Sequence, residues 1–196
     1  MKKNFKDQIL ISTNENYNAL KNTIKKNSFK IEFIVQKLNS VLKKKGKIFI
    51  CGNGGSAAEA QHLAAEFLVR LRPNINRKPL PLISLALDTS TITACANDYN
   101  FKDIFSRNLK ALASKNDVLI CLSTSGKSKN IIEALKMSKK MGVFSISLLG
   151  NKKSLSEKLS DYFIKVESSN TARIQEVHLF LGHFILETVE KKIFRK

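Results

Sequence analysis

The sequence predicts an α/β fold: a single domain with a parallel five-stranded sheet flanked by helices on both faces, N-terminal helices before it and a long C-terminal helix after it. Several short apolar runs rich in β-branched and aromatic residues end at glycine or serine, as buried parallel strands do. These runs alternate with amphipathic helical stretches, which is typical of a parallel sheet covered on both faces. The 196 residues are 43% hydrophobic and 26% charged, which suffices for one core, and no linker divides them.

The elements follow from hydrophobic periodicity and from breaker residues. Two amphipathic helices are expected first, over about 7–27 and 30–45, with Ser28 as the cap of the second. The predicted strands are apolar runs bounded by turn residues, at 48–51, 82–87, 117–122, 143–149 and 161–166. The predicted later helices are one carrying His62, one over about 102–114, one ending before Gly142, and one over about 171–194.

A glycine turn follows the first predicted strand, in the segment KIFICGNGGSAAEAQHLAAE at residues 47–66. Its glycines, at 52, 54 and 55, allow the backbone to approach a ligand, and Ser56 is expected to cap the next helix. The free N–H groups and the positive end of that helix suit a phosphate. A classical dinucleotide site is excluded, because Ala57 stands where the third glycine of that motif is required.

The helix after this turn carries His62 and Glu66, which lie four residues apart and therefore share one face. An imidazole and a carboxylate at that spacing can act as an acid–base pair or as two metal ligands. A surface His–Glu pair behind a structural turn is the alternative that the segment alone leaves open.

A second loop, Ser123-Thr124-Ser125-Gly126-Lys127-Ser128, follows the strand predicted at 117–122. Its hydroxyl groups and the expected helix cap Ser128 can donate to phosphate oxygens. An ATP or GTP P-loop is excluded, because that motif requires glycine where Cys121 stands. Both loops lie at the carboxyl ends of predicted parallel strands, where ligands of open α/β sheets collect. A serine-rich helix cap without a ligand remains the alternative for this loop.

The last predicted helix carries Gln175, His178 and His183. Gln175 and His183 are about 12 Å apart along a helix axis, so one metal meets both only if their side chains lean together or come from different subunits. His178, three residues after Gln175, is the local competitor as a ligand, but it is expected to be a core or capped histidine. The apolar residues of this helix exceed what one sheet face covers, which predicts that His183 reaches the His62/Glu66 helix across a subunit interface. A monomer whose last helix packs on its own sheet is the alternative.

Charge and composition narrow the function classes. The formal net charge is +18 and the pI is near 9.9, but the lysines are scattered over helix faces and no nucleic-acid-binding motif accompanies them. We therefore do not expect nucleic-acid binding to be the function, whereas a positive field favours encounter with anionic sugar phosphates. No apolar run approaches the roughly 18 residues of a membrane span. The apolar stretch near Met1 is too short for a secretion signal, so a cytoplasmic location is expected.

Four strings, CGNGGSAAEAQHLAAEF, ANDYNFKDIFSR, LSTSGKS and RIQEVHLFLGH, occur in this order over most of residues 30–195. Together they resemble the phosphoheptose isomerases, a family of sugar isomerase (SIS) domain enzymes. The resemblance implies one SIS domain over 1–196, with 1–45 used in oligomerisation and 46–196 forming the core and C-terminal helix. It implies a homotetramer with active sites at subunit interfaces and one zinc per subunit. The implied reaction converts D-sedoheptulose 7-phosphate to D-glycero-D-manno-heptose 7-phosphate, the first step of nucleotide-activated heptose synthesis for bacterial surface glycans.

The resemblance also implies roles for individual residues. The zinc ligands would be His62, Glu66, Gln175 and His183, and Glu66 and His183 would also be the catalytic acid–base pair. The substrate-binding residues would be Asn53, Gly54, Gly55, Ser56, Glu66, Asn97, Asp98, Ser123, Thr124, Ser125, Ser128 and Gln175. The chain departs from the family form at Ala57 and Ala58, where a bulkier polar pair often stands, and this bears on substrate fit.

Two other functions are compatible with the same fold. A non-enzymatic relative forms a tetramer and binds the replication initiator protein DnaA, but it lacks the His–Glu pair that is present here. An isomerase of another sugar phosphate, such as a pentose or amino-sugar phosphate, would use similar loops, because those loops recognise the phosphate and not the length of the carbon chain.

Overall fold

The structure is a computed structural model that describes residues 4–86 and 88–194. Its helices are α1 Phe5–Lys43, α2 Gly55–Leu68, α3 Thr89–Asp98, α4 Ile104–Leu112, α5 Lys129–Met141, α6 Leu155–Leu159 and α7 Thr171–Phe194. Its strands are β1 Ile48–Cys51, β2 Leu82–Ser84, β3 Val118–Ser123, β4 Phe144–Leu149 and β5 Tyr162–Lys165.

The five strands form one parallel sheet in the order β2-β1-β3-β4-β5, which confirms the predicted fold class. Two internal strands, β1 and β3, are buried along their whole length, as their continuous apolar runs predict. After β1 the chain adds β2 along one edge of β1, and it then crosses over to add β3 along the other edge. The loops that leave β1 and β3 therefore flank the point where the strand order reverses, which is where open α/β sheets bind ligands.

Helices cover both faces of the sheet because the side chains of each strand alternate between them. One core lies between the sheet and α1, α2 and α7, and it receives Ile48 and Ile50 of β1. The other lies between the sheet and α3, α4 and α5, and it receives Phe49 and Cys51. The residues proposed to do chemistry on α2 and α7 therefore share one face of the sheet.

The prediction of two N-terminal helices was wrong, because α1 is one helix of 39 residues. Ser28, the predicted cap, lies inside it. No glycine or proline interrupts the segment around Ser28. The buried Asn27 donates to the backbone carbonyl of Thr23 at 2.9 Å, which is the i to i−4 pattern within a helix. The actual cap is Asn4, whose side chain accepts from the backbone N–H of Asp7.

Other element boundaries in the structure differ from the predicted ones. The strand predicted at 82–87 ends at Ser84, and residue 87 lies outside the described part of the chain. Asp88 then caps the unpredicted helix α3 by accepting from the Thr91 N–H at 2.8 Å. The helix predicted over 102–114 begins as a 3₁₀ turn at Phe101–Asp103 and becomes α-helical only over Ile104–Leu112. The short helix α6 was also not predicted.

Among the described residues, no helix is both long enough and apolar enough to cross a membrane.

Candidate active site

The glycine turn after β1 places the start of α2 against the sheet. Gly54 has a φ of +55° and occupies the N-cap position, so the helix begins at Gly55. The prediction that Ser56 caps the helix was wrong, because Ser56 is already the second helical residue and is buried. Among the described residues, no side chain caps α2, so the positive end of its dipole stays open to an anion.

The serine loop after β3 is shaped by its own hydroxyl groups. Ser123 accepts from the backbone N–H of Gly126 at 3.0 Å, and Ser125 accepts from the Lys127 N–H at 3.2 Å. Ser128 occupies the N-cap position of α5 as predicted, but its hydroxyl makes no capping hydrogen bond. The Ser128 hydroxyl therefore remains available to a ligand at the start of α5.

Two asparagine side chains join the glycine turn to the serine loop. The Asn53 amide donates to Asn130 Oδ1 at 2.8 Å, and the Asn130 amide donates to Asn53 Oδ1 at 2.7 Å. Asn130 was not predicted as a site residue, because nothing in its local sequence indicates a partner 77 positions away. The pair ties the two loops together.

Cavities open on both sides of the serine loop. One of about 190 Å³ lies between this loop and the start of α7, and its lining residues are Thr124, Ser125, Lys127, Asn151, Lys152, Ser169, Thr171 and Ile174. Another of about 410 Å³ is lined by Asn53, Asn100, Phe101, Lys102, Ser128, Lys129 and Asn130. Both combine lysines with hydroxyl or amide groups, which suits an anionic ligand. The predicted pair Asn97 and Asp98 lies at the exposed end of α3, where Asn97 donates to Asp98 at 2.8 Å.

The side chains of His62, Glu66 and His183 converge between α2 and α7. The two Nε2 atoms of His62 and His183 are 2.9 Å apart, and His62 Nε2 is 3.5 Å from Glu66 Oε1. One ligand atom from each of the three residues lies within 4.8 Å of the other two. All three come from one chain, so the prediction that His183 reaches the His62/Glu66 helix from another subunit was wrong.

Gly182 explains how α7 comes close enough for His183 to reach α2. It is buried, and a Cβ atom placed there would lie 2.5 Å from Leu63 Cδ1 and 2.8 Å from Leu63 Cδ2. Such separations are far below ordinary carbon contacts of about 3.5–4.0 Å. Gly182 was not predicted as a site residue, because a glycine inside a helix does not by itself reveal which helix packs on it.

Gln175 lies at the glycine turn. A Cβ atom at Gly55 would lie 3.1 Å from Gln175 Cδ and 3.2 Å from Gln175 Oε1, so a larger residue there would displace the Gln175 side-chain amide. Gly55 precedes His62 by two turns of α2, and Gln175 precedes His183 by eight residues of α7. The tertiary structure therefore brings together three of the four predicted metal ligands and places the fourth, Gln175, beside the glycine turn.

Burial shifts the protonation of two groups near this cluster. It lowers the pKa of His183, and the neighbouring His62 lowers it further while Glu66 acts in the opposite direction. Burial raises the pKa of Glu59 to about 7. Glu59 precedes His62 by three residues on the same face of α2, and its buried Oε2 atom has no hydrogen-bond partner among residues 4–86 and 88–194. Glu59 was not predicted from the sequence.

His178 is a core residue, as expected. It is fully buried on α7, and within the described part of the chain neither ring nitrogen makes a regular hydrogen bond. Burial lowers the pKa of His178 to about 4, while the Leu149 carbonyl favours the charged form. The ring is therefore neutral at physiological pH and separate from the cluster.

The cluster fits a zinc ion. Two imidazoles and one carboxylate form a common set of protein ligands in catalytic zinc sites. Tetrahedral zinc with bonds of about 2.0–2.1 Å places its ligand atoms about 3.3 Å apart. The separations of 2.9 and 3.5 Å bracket that value.

Comparison with known proteins identifies the family. The SIS domain family model matches residues 13–150. The chain is 45% identical to a phosphoheptose isomerase of Helicobacter pylori strain Shi470 over 162 residues, which is 83% of each chain. It is 47% identical to one of Campylobacter concisus over 161 residues, which is 82% of this chain and 84% of that one. The chain belongs to the phosphoheptose isomerase family.

The fold agrees with that assignment. The structure of a phosphoheptose isomerase from Neisseria gonorrhoeae matches with a TM-score of 0.89 and 33% identity, covering 96% of this chain and all of that one. The expectation of a phosphoheptose isomerase family enzyme with a single SIS-type α/β domain is thereby confirmed.

Proposed function

We propose that this protein isomerises D-sedoheptulose 7-phosphate to D-glycero-D-manno-heptose 7-phosphate, the first step of nucleotide-activated heptose synthesis for bacterial surface glycans. The observation that carries the proposal is the convergence of His62, Glu66 and His183 beside two loops suited to phosphate, in a chain of the phosphoheptose isomerase family. This intact cluster favours an enzyme over a non-enzymatic SIS protein that binds DnaA.

The reaction needs an acid–base pair, because it moves one proton between neighbouring carbons. In our proposal the Glu66 carboxylate removes the proton from C1, and His183 returns a proton to C2 after the enediol has formed. A hydroxyl proton passes from O1 to O2, so a ketose becomes an aldose without gain or loss of atoms. The two side chains belong to one cluster, which lets them act on adjacent carbons.

His62, Glu66 and His183 would hold a zinc ion, with Gln175 as the fourth ligand that we propose. When bound, zinc supplies a Lewis acid that polarises the substrate carbonyl. The lowered pKa of His183 favours its neutral imidazole, which is the form that binds metal and which takes up a proton before it returns one to C2.

The two loops would hold the far end of the substrate. The open dipole of α2 and the free Ser128 hydroxyl can both address phosphate oxygens. Lys127 and Lys152 add positive charge on the other side of the serine loop. The substrate-binding residues that we propose are Asn53, Gly54, Gly55, Ser56, Glu66, Asn97, Asp98, Ser123, Thr124, Ser125, Ser128 and Gln175.

We also propose that the protein is a cytoplasmic homotetramer and that residues 1–45 contribute to assembly. The α1/α7 surface supports this proposal, because Phe29 is 86% exposed and the rings of Phe180 and Phe184 stack with centroids 6.4 Å apart on the surface. A cavity of about 280 Å³ between α1 and α7 is lined by Ile24, Ser28, Ile31, Glu32, Val35, Phe184 and Thr188. Exposed apolar patches of this kind mark protein interfaces.

The deciding experiment measures the turnover of D-sedoheptulose 7-phosphate by NMR, together with the zinc content of the purified protein. We expect aldose formation by the wild type and loss of most activity in Glu66→Gln, because an amide keeps the shape of the side chain but cannot act as base. Pentose and amino-sugar phosphates run in parallel test the substrate. Faster turnover of one of those sugars, or a Glu66→Gln variant within a few-fold of wild type, would contradict the proposal.

A further inference from the structure

The Arg77 side chain is buried although it lies in the connection between α2 and β2. Only 1% of the side chain is exposed, and its guanidinium makes four hydrogen bonds. Nη2 donates to the Glu66 carbonyl at 2.7 Å, and Nη1 donates to the Phe67 carbonyl at 2.9 Å and to the Lys78 carbonyl at 3.1 Å. Nε donates to Glu190 Oε1 at 2.5 Å. A buried charge needs such partners, because desolvation is costly without them.

These bonds connect the ends of the two helices that form the cluster. The last carbonyls of α2 have no partner within the helix, and Arg77 binds the carbonyl of Glu66 itself. Glu190 is fully buried on α7 and follows His183 by seven residues, which is two helical turns on the same face. The Arg77 guanidinium therefore binds the backbone of Glu66 and also binds α7, the helix that carries His183.

Three contacts fix α2 against α7 along their length. Near the start of both helices the Gln175 side chain packs on Gly55, and in the middle Gly182 packs on Leu63. At the far end the contact is Arg77 itself. The cluster of His62, Glu66 and His183 lies between these fixed points, and its Nε2 atoms are separated by 2.9 Å.

We propose that Arg77 is a positioning residue for metal binding. By joining the Glu66 and Phe67 carbonyls to Glu190, it holds the α2 ligands and His183 at the separation that a zinc ion requires. The inference rests on the proposed function, because it assumes that the cluster binds zinc. It assigns a role to a side chain that touches neither substrate nor metal.

The neighbouring Arg72 is a matched control. Its Nε donates to the other oxygen of Glu190 at 2.7 Å, and its side chain is 24% exposed. Unlike Arg77, it donates to no carbonyl of α2 among the described contacts. Replacing Arg72 therefore removes a charge partner of Glu190 without releasing the end of α2.

The test compares wild type, Arg77→Lys, Arg72→Lys and Glu190→Gln. Lysine keeps the charge but lacks the planar fork that reaches several acceptors at once. Zinc affinity is measured by competition with a chromophoric chelator. The values of kcat and KM are measured with sedoheptulose 7-phosphate as the substrate, and stability is measured by urea unfolding. We expect Arg77→Lys to bind zinc about 10–100-fold more weakly, the usual effect of losing a residue that supports metal ligands. Its kcat should fall while KM changes little, because the phosphate loops lie at the opposite end of α2.

Arg72→Lys should keep zinc affinity within about threefold of wild type. Glu190→Gln, which retains the side-chain shape, should weaken zinc binding in the same direction as Arg77→Lys and provides the test if Arg77→Lys does not fold. Wild-type zinc affinity in a folded Arg77→Lys, or in Glu190→Gln if Arg77→Lys does not fold, would overturn the inference. Equal weakening in Arg72→Lys would also overturn it. A wild type that neither binds zinc nor turns over sugar phosphate would overturn the proposed function itself, which is a different result.

Discussion

Substituting alanine for Gly182 should weaken metal binding strongly while lowering the overall stability only slightly. The new Cβ atom would lie 2.5, 2.8 and 3.2 Å from Leu63 Cδ1, Cδ2 and Cγ. Leu63 is only 2% exposed, so it cannot swing aside without disturbing the surrounding core. Restoring a contact of about 3.5 Å requires a shift of about 1 Å between α2 and α7.

The expected energies follow from that shift. Overpacking a core costs about 1–3 kcal/mol, and replacing glycine inside a helix by alanine returns about 0.5–1 kcal/mol. The net loss of stability is therefore about 0–2.5 kcal/mol, which is less than the total stability of an ordinary domain, so the fold should stay intact. Metal sites tolerate deviations of about 0.2 Å in ligand distance, so a shift of about 1 Å should weaken zinc binding at least about tenfold.

Chelator competition, isomerase turnover and urea unfolding measure these effects on the same samples. A second substitution, Leu63→Ala, removes all three atoms that the new Cβ would meet. It costs about 2–5 kcal/mol, so the double variant should be less stable than Gly182→Ala and yet bind zinc more tightly. Leu63→Ala alone is the control and should bind zinc nearly as well as wild type. Unchanged zinc affinity and turnover in Gly182→Ala would refute the reasoning, as would a double variant that binds no better than the single one.

Three further predictions address other parts of the molecule. Ser128→Ala should weaken binding of a sugar phosphate about tenfold, or ~1.4 kcal/mol, but leave binding of the free sugar unchanged in calorimetry; equal losses would show that this hydroxyl does not hold phosphate. The lowered pKa of His178, about 4 against 6.5, gives stability that is present above pH 6.5 and lost as pH falls towards 4. His178→Leu should therefore lose about 3 kcal/mol less than wild type between pH 7.5 and pH 4 in urea unfolding, and parallel pH curves would exclude this role. Mixed oligomers of Glu66→Gln and His183→Ala chains should stay inactive, because both residues serve one chain's site; recovered activity would show that they do not.

The sequence by itself determined the parts of the structure that depend on local periodicity. Continuous apolar runs such as the one at 118–122 have few alternatives to a buried strand, so the parallel sheet could be predicted. The four-residue spacing of His62 and Glu66 placed them on one helix face without knowledge of any other element. The loop motifs, with their spacing, also indicated the family.

Predictions from local sequence features were wrong where one side-chain contact or one backbone angle decided between two conformations. The Asn27 side chain donates to the Thr23 carbonyl within α1, and the helix continues through Ser28. Gly54 takes the N-cap position because its positive φ completes the turn, and this moves Ser56 into the helix. Both outcomes depend on backbone geometry that residue type alone does not specify.

Only the tertiary structure decided how the site is assembled. His183 lies 121 residues after His62, and nothing in the spacing along α7 indicates which helix it will face. The absence of a side chain at Gly182 lets α7 approach Leu63, and Arg77 holds the far ends of α2 and α7 through Glu190. Periodicity sets the face that a helix presents, whereas the distance between two helices depends on side chains from distant parts of the chain. For that reason the sequence could name His62, Glu66 and His183, and only packing could show that one chain brings them together.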